Sequence, residues 1–234
     1  MAARRLVVRY GLEFPVTTEQ LERVIVEVGA KLSFDRSMIE SGALVEDGSE
    51  LVVLVKPTDS WQRQKFTIAH EIGHLVGRVF QLRLPPNEER WCDAFASELL
   101  LPGQWIERRY SRAPQSVNAV SALSKTAGVS MPAALIALHH SASWDAALLT
   151  FRQSGGSWRL WSTQNLPQSL RGLSVDKESL RVLDTGSKQA RRLRLRMRST
   201  RGVIEMDVEA IGTGQVRWVL IPSHAIHRSR GSSG

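Results

Sequence analysis

The residues with the clearest potential for chemistry lie in the segment FTIAHEIGH, residues 66–74. Within it, His70, Glu71 and His74 form the pattern H-E-x-x-H. On a helix, residues four positions apart project from the same face, so both histidines can direct imidazole nitrogens at one ion. Glu71 lies beside that face and can accept a proton from a water molecule that the ion activates. The pattern therefore predicts a catalytic metal site.

A catalytic zinc site needs a third protein ligand, with the fourth position left open for water. Glu89 and Asp93 are spaced four residues apart in a downstream apolar segment. If that segment is helical, one carboxylate can bind the metal while the other approaches the free N–H of a ligand histidine. Glu88, one step around the helix, is expected to point elsewhere. Glu98 is expected to lie too far along the helix to share the metal.

The composition limits the alternatives to such a site. Cys92 is the single cysteine, which excludes an internal disulfide and a metal site built from cysteines alone. We expect Cys92 to be a small buried apolar residue rather than a ligand. No apolar run approaches the roughly 18 residues of a membrane span, and no signal peptide is evident. The sequence therefore predicts a cytoplasmic protein without a membrane partner.

Two predicted helices position the motif residues. Residues 42–57 (GALVEDGSELVVLVKP) are typical of a β-hairpin. Asp59 or Ser60 can cap the helix that follows, which is apolar over much of its circumference and carries H-E-x-x-H. After a proline-rich loop, WCDAFASELLLP predicts a second helix that ends at Pro102.

The character of the chain changes after about residue 140. Residues 115–140 resemble a helix-turn-helix, whereas runs such as AALLTF, WRLWS and VRWVLI further on are typical of strands. We therefore predict an α+β protein with three parts. They are a mainly helical domain at 1–140 with a small β-hairpin or sheet, whose H-E-x-x-H motif resembles that of zincin-like peptidases, a β-rich domain at 141–226 for which regulation is one interpretation, and a disordered tail at 227–234.

A net charge of +8 suggests an anionic partner, and much of it lies in KQARRLRLRMRSTR. In an extended strand, Leu193, Leu195 and Met197 would face the core while the alternating arginines would face solvent. Two interpretations follow, namely a solvated strand face or a patch for nucleic acid or an acidic protein surface. No aromatic residue alternates with the arginines, so stacking on single-stranded bases is not supported.

Taken together, FTIAHEIGH and ERWCDAFASELLLP resemble the ImmA/IrrE family of bacterial metallopeptidases over about residues 40–105. The resemblance implies that His70, His74 and Glu89 are the metal ligands and that Glu71 is the catalytic base. Asp93 stands at the family's Asn/Asp position, where we expect it to orient a ligand histidine. Other positions also match the family motif: Phe95, Ala96, Leu99, Leu100 and Pro102. Cys92 and Trp91 depart from the pattern without replacing a ligand.

The resemblance also implies a function. Members of the family cleave a partner repressor of the helix-turn-helix type and so induce stress-response or mobile-element genes. We therefore expect a zinc endopeptidase with one protein substrate, with manganese as another ion that two histidines and a carboxylate can hold. DNA is not a required partner. The alternative is a DNA-binding or antitoxin-like regulator with a structural metal site.

Overall fold

The computed structural model describes residues 2–170, 172, 174–175, 180, 183, 189–199 and 202–222. The chain divides into two compact units, Met1–Trp105 with Ser124–Ser130, and Ile106–Leu123 with Met131–Gly234. The predicted domain boundary at residue 140 stays a prediction, and the predicted tail at 227–234 lies outside the described residues.

The first unit combines helices with a small sheet. Its elements are α1 (Ala2–Arg9), α2 (Thr18–Glu27), β1 (Ala30–Phe34), β2 (Gly42–Asp47), β3 (Glu50–Val55), α3 (Trp61–Val79) and α4 (Glu88–Leu100). The predicted hairpin is present as β2 and β3, which pair antiparallel, and β1 adds a parallel strand on the other side of β3. The strand order β1-β3-β2 leaves β2 at an edge.

The helix α3 is the central helix of this unit. Ser60 caps it by accepting a hydrogen bond from the backbone N–H of Arg63, which satisfies one of the unpaired donors at a helix start. Its apolar face is buried, and Ile68, Ile72 and Leu75 are at most 1% exposed. This burial agrees with the sequence pattern, because a helix that is apolar over most of its circumference is stable only when other elements cover it.

The helix α4 begins at Glu88, three residues before the apolar run WCDAFASELLLP. Asn87 caps it by accepting a hydrogen bond from the N–H of Arg90, so Glu88 and Glu89 lie in its first turn. It runs close to α3 at Gly73, where an added Cβ would lie 3.1 Å from Sγ of Cys92 and 3.3 Å from its Cα. Gly73 stands between the two histidines of the motif, so the close approach brings the start of α4 against them.

The second unit is rich in strands. The helices α5 (Gly103–Tyr110) and α6 (Val117–Ala127) contribute to both units, and α7 (Met131–Ala142) belongs to the second. The strands are β4 (Ala147–Ser154), β5 (Ser157–Gln164), β6 (Ser174–Val175), β7 (Arg191–Ser199), β8 (Gly202–Thr213) and β9 (Val216–Ile221). They form one antiparallel sheet in the order β5-β4-β9-β8-β7-β6. The α+β class and the β-rich second half are confirmed.

The strand β7 alternates as its sequence predicts. Leu195 and Met197 are fully buried in the core of the sheet, whereas Arg194, Arg196 and Arg198 are exposed.

In the part of the chain that the structure describes, no single helix has the length and hydropathy to cross a membrane, and the bent pair α6 and α7 meets that test only as a pair.

Candidate metal centre

The two helices bring the motif residues together in the first unit. Nε2 of His70 lies 3.2 Å from Nε2 of His74. The carboxylate of Glu89 lies against both rings, with one oxygen 3.3 Å from Nε2 of His70 and the other 3.3 Å from Nε2 of His74. Asp93 is one turn further along α4, and its Oδ1 lies 3.0 Å from Nδ1 of His70.

Glu88 belongs to the same cluster, so the expectation that it points elsewhere is wrong. Its Oε1 lies 2.7 Å from Nδ1 of His74. The physical reason is the close approach of α4 to α3 at Gly73, which brings the whole first turn of α4 against the histidines. Each histidine therefore has its own carboxylate partner at Nδ1, Asp93 for His70 and Glu88 for His74.

These contacts suit one tautomer of each ring, with the proton on Nδ1. An ionised carboxylate can only accept a hydrogen bond, so each Nδ1 donates and carries the proton. In the neutral imidazoles both Nε2 atoms are then acceptors, and they face each other and the oxygens of Glu89. A bound cation would satisfy all of these converging acceptors.

The spacing of these atoms also fits a metal ion. Ligands at the 2.0–2.1 Å distances of zinc–nitrogen and zinc–oxygen bonds stand about 3.3–3.4 Å apart in tetrahedral geometry. The two Nε2 atoms are 3.2 Å apart, and each lies 3.3 Å from a different oxygen of Glu89. The residues present therefore fit a bound metal ion, with a carboxylate behind each ring to fix its orientation.

Cys92 offers a second set of donors with the same two histidines. Its Sγ and one nitrogen of each ring lie within 4.8 Å of one another, and the residue is fully buried. Burial, together with the nearby carboxylates, raises the pKa of the Cys92 thiol to about 12, whereas metals bind the thiolate. Glu89 places one carboxylate oxygen 3.3 Å from each Nε2 atom, so we favour it as the third ligand.

Glu71 lies between the candidate metal ligands and the sheet that contains β2. It is 6% exposed, and this burial raises the pKa of its carboxyl group, as do Glu89 and Glu40 more weakly, against the lowering effect of His74 and His70. Its carboxylate faces the edge strand, because a Cβ added to Gly42 would lie 3.0 Å from Oε1 of Glu71.

A cleft of about 700 Å³ opens beside these residues. One wall is the edge strand β2 and the other is formed by α3, the start of α4 and the loop between them. Arg78 lies one turn beyond His74 on α3 and donates a hydrogen bond to Glu46 of β2. The cleft therefore places the cluster next to a strand edge whose backbone groups are open for pairing.

We expect Gly42→Ala to disturb this arrangement. The new methyl group would overlap Cγ2 of Thr67 and crowd Oε1 of Glu71, and overpacking of this kind costs about 1–3 kcal/mol. Denaturant unfolding should show that loss of stability. Thr67→Ser removes the overlapping Cγ2, so adding it to Gly42→Ala should restore most of the stability; full stability in the single variant would contradict the close packing.

Glu88→Ala tests the contact that the sequence analysis missed. Loss of the carboxylate behind a ligand histidine typically lowers metal affinity 10–100-fold, so we expect zinc to bind more weakly by about that factor. Competition with a chromophoric chelator measures it. Glu22→Ala, on the exposed face of α2, is the matched control and should bind zinc as the wild type does. Equal affinity in both variants would show that Glu88 does not support the site.

The arginine row of β7 is opposed by acidic residues. Its strand partner β8 presents Glu205, Asp207 and Glu209 at the paired positions. Arg194 lies 3.5 Å from Glu205 and 4.0 Å from Asp207, and Arg192 lies 3.8 Å from Glu209. This pairing reduces the positive potential that a nucleic-acid surface needs.

The Peptidase_M78 family model, described as the IrrE N-terminal-like domain, matches residues 22–139. Among solved structures, the chain is similar to a Mycobacterium tuberculosis transcriptional regulator, with 14% identity and a TM-score of 0.55 over 99% of this chain and 78% of that chain. At this identity the likeness concerns the fold alone. No curated protein matches the chain.

Proposed function

Because the chain belongs to the Peptidase_M78 family through its IrrE N-terminal-like domain, we propose that it is a zinc-dependent endopeptidase that cleaves one protein substrate at a specific site. The resemblance to the ImmA/IrrE family is thereby confirmed, and the matched residues 22–139 include both motifs. The observation that carries the proposal is the convergence of two imidazole nitrogens and one carboxylate in an open cleft.

In this proposal the residues of α3 and α4 have separate roles. His70, His74 and Glu89 hold the ion, while Asp93 and Glu88 fix the orientation of the two imidazoles through Nδ1. When bound, the ion lowers the pKa of water and polarises the scissile carbonyl. Two histidines and a carboxylate also suit manganese, so the metal content of the purified protein decides between the ions.

Glu71 moves the proton. It accepts a proton as water attacks the peptide carbonyl and then transfers it to the leaving amine. Its position in the wall of the cleft, facing β2, suits this role because a peptide lying along that strand would pass beside its carboxylate.

The proposed substrate is a helix-turn-helix repressor, on the strength of the family resemblance. Cleavage of such a repressor would induce the stress-response or mobile-element genes that it controls.

The experiment is to incubate the zinc-loaded protein with the helix-turn-helix repressor encoded nearest to its gene. We expect two fragments from one cleavage site, identified by intact-mass spectrometry, and no fragments when EDTA is present. Restoring zinc after EDTA should restore cleavage. An intact repressor at every zinc concentration would contradict this substrate, whereas cleavage that continues in EDTA would contradict the metal-dependent mechanism.

The alternative, a DNA-binding regulator with a structural metal, has one supporting observation. The helices α6 and α7 meet at 106°, within the range of helix-turn-helix motifs. However, α7 contains no lysine or arginine to contact DNA, and the arginines of β7 face acidic residues. DNA binding that weakens steeply with salt and with substitution of Arg192 and Arg194 would favour this alternative.

A further inference from the structure

A second cavity in the first unit lies apart from the metal ligands. It has a volume of about 480 Å³ and is enclosed by α1, the end of α3 and the residues that follow α3. Its apolar wall is formed by Leu6, Tyr10, Val76, Phe80 and Leu82. The volume is within the range of pockets that bind small molecules, whose lining is mostly apolar with a few polar groups.

The polar groups at this cavity are two arginines of α1. Arg5 and Arg9 both line it and are exposed. Arg9 lies over the ring of Phe80, 4.8 Å from its centroid. Neither arginine has an ion pair recorded with a described residue, whereas Arg4 of the same helix binds Glu98 at 2.9 Å. The cavity therefore combines an apolar interior with two positive charges that have no acidic partner in the described part of the chain.

We propose that this cavity binds a small anionic amphiphile, with an acyl or aromatic tail in the apolar interior and a carboxylate-like head group on Arg5 and Arg9. The tail would remove apolar wall surface from water, which is favourable in proportion to the area covered. The head group would supply the anion that the two guanidinium groups lack, and guanidinium groups bind carboxylates with paired hydrogen bonds.

The position of this cavity gives its ligand a contact with the cleft. Leu82 lines both cavities, and its backbone N–H is held by the carbonyl of Gly77 at 2.9 Å. A tail in the apolar cavity would thus contact a residue that also forms the wall of the metal cleft. The binding proposal itself does not depend on peptidase activity.

Isothermal titration with dodecanoate, kept below its critical micelle concentration, tests the proposal on the metal-loaded full chain. We expect one site per chain in the wild type. Arg5→Gln combined with Arg9→Gln should weaken binding about tenfold or more, because the carboxylate would lose both of its charged partners. Both side chains are exposed, so this variant should fold as the wild type does.

A matched pair of variants tests the apolar wall. Phe80→Asp places a carboxylate in the cavity and should also weaken dodecanoate binding about tenfold or more. Val79→Asp makes the same change in charge at the neighbouring exposed position, which does not line the cavity, and should leave the affinity unchanged. No binding to the wild type, or equal affinity in the wild type and the double arginine variant, would overturn the proposal. Equal losses of dodecanoate affinity in Phe80→Asp and Val79→Asp would also overturn it.

Discussion

Glu71→Gln is expected to abolish peptide hydrolysis while leaving the metal in place. The amide keeps the size and most of the packing of the buried carboxylate, but it cannot accept the proton from water. A positioned general base contributes about 10²–10⁴-fold to the rate, so the rate of repressor cleavage should fall by at least about 100-fold. Initial rates and metal content should be measured on the same preparation.

The pairing of the two measurements is what makes this variant informative. Lost activity with lost metal would place Glu71 among the ligands rather than in the role of a base. Retained activity with retained metal would show that another group accepts the proton. Glu22→Gln is the matched control, because Glu22 is exposed and does not line the cleft; its loss should leave both the rate and the metal content near those of the wild type.

Glu89→Ala is expected to remove most of the zinc. The side chain of Glu89 is 75% exposed, so truncation should not unfold the protein. It does remove the carboxylate that faces both Nε2 atoms. Loss of a residue that only orients a ligand lowers metal affinity by up to roughly 100-fold. Loss of the ligand Glu89 itself should therefore lower the zinc affinity by more than that. Competition with a chelator measures the affinity, and elemental mass spectrometry after dialysis measures the retained zinc.

Cys92→Ala is the control that shows whether Glu89 or Cys92 is the third ligand beside the two histidines. It removes only the sulfur atom from a buried position next to Gly73. If Glu89 is the third ligand, zinc affinity should stay near that of the wild type, although the small cavity will lower stability somewhat. If Cys92→Ala lost zinc and Glu89→Ala kept it, Cys92 and not Glu89 would be the third ligand.

The sequence predicts the elements of the site better than their contacts. Helical spacing places His70 and His74 on one face and pairs Glu89 with Asp93, because these relations are local to one helix. The contact of Glu88 with His74 depends on how closely α4 packs against α3 at Gly73. Spacing within one helix does not show how two helices pack against each other.

Contacts between distant segments were the hardest to predict. The parallel pairing of β1 with β3 joins strands that are far apart in sequence, and the amphipathic pattern of five residues in β1 is too short to indicate it. The close approach of Gly42 to Glu71 likewise depends on the packing of β2 against α3. By contrast, the alternation of leucine and arginine in β7 is local, so its buried and exposed faces could be predicted.

The central claim is that two histidines of α3 and one glutamate of α4 bind the metal of a peptidase centre. X-ray absorption at the zinc edge of the zinc-loaded wild type tests it most directly. The account predicts a ligand shell of nitrogen and oxygen alone, at about 2.0–2.2 Å. A sulfur atom at about 2.3 Å would show that Cys92 is a ligand and would contradict the account.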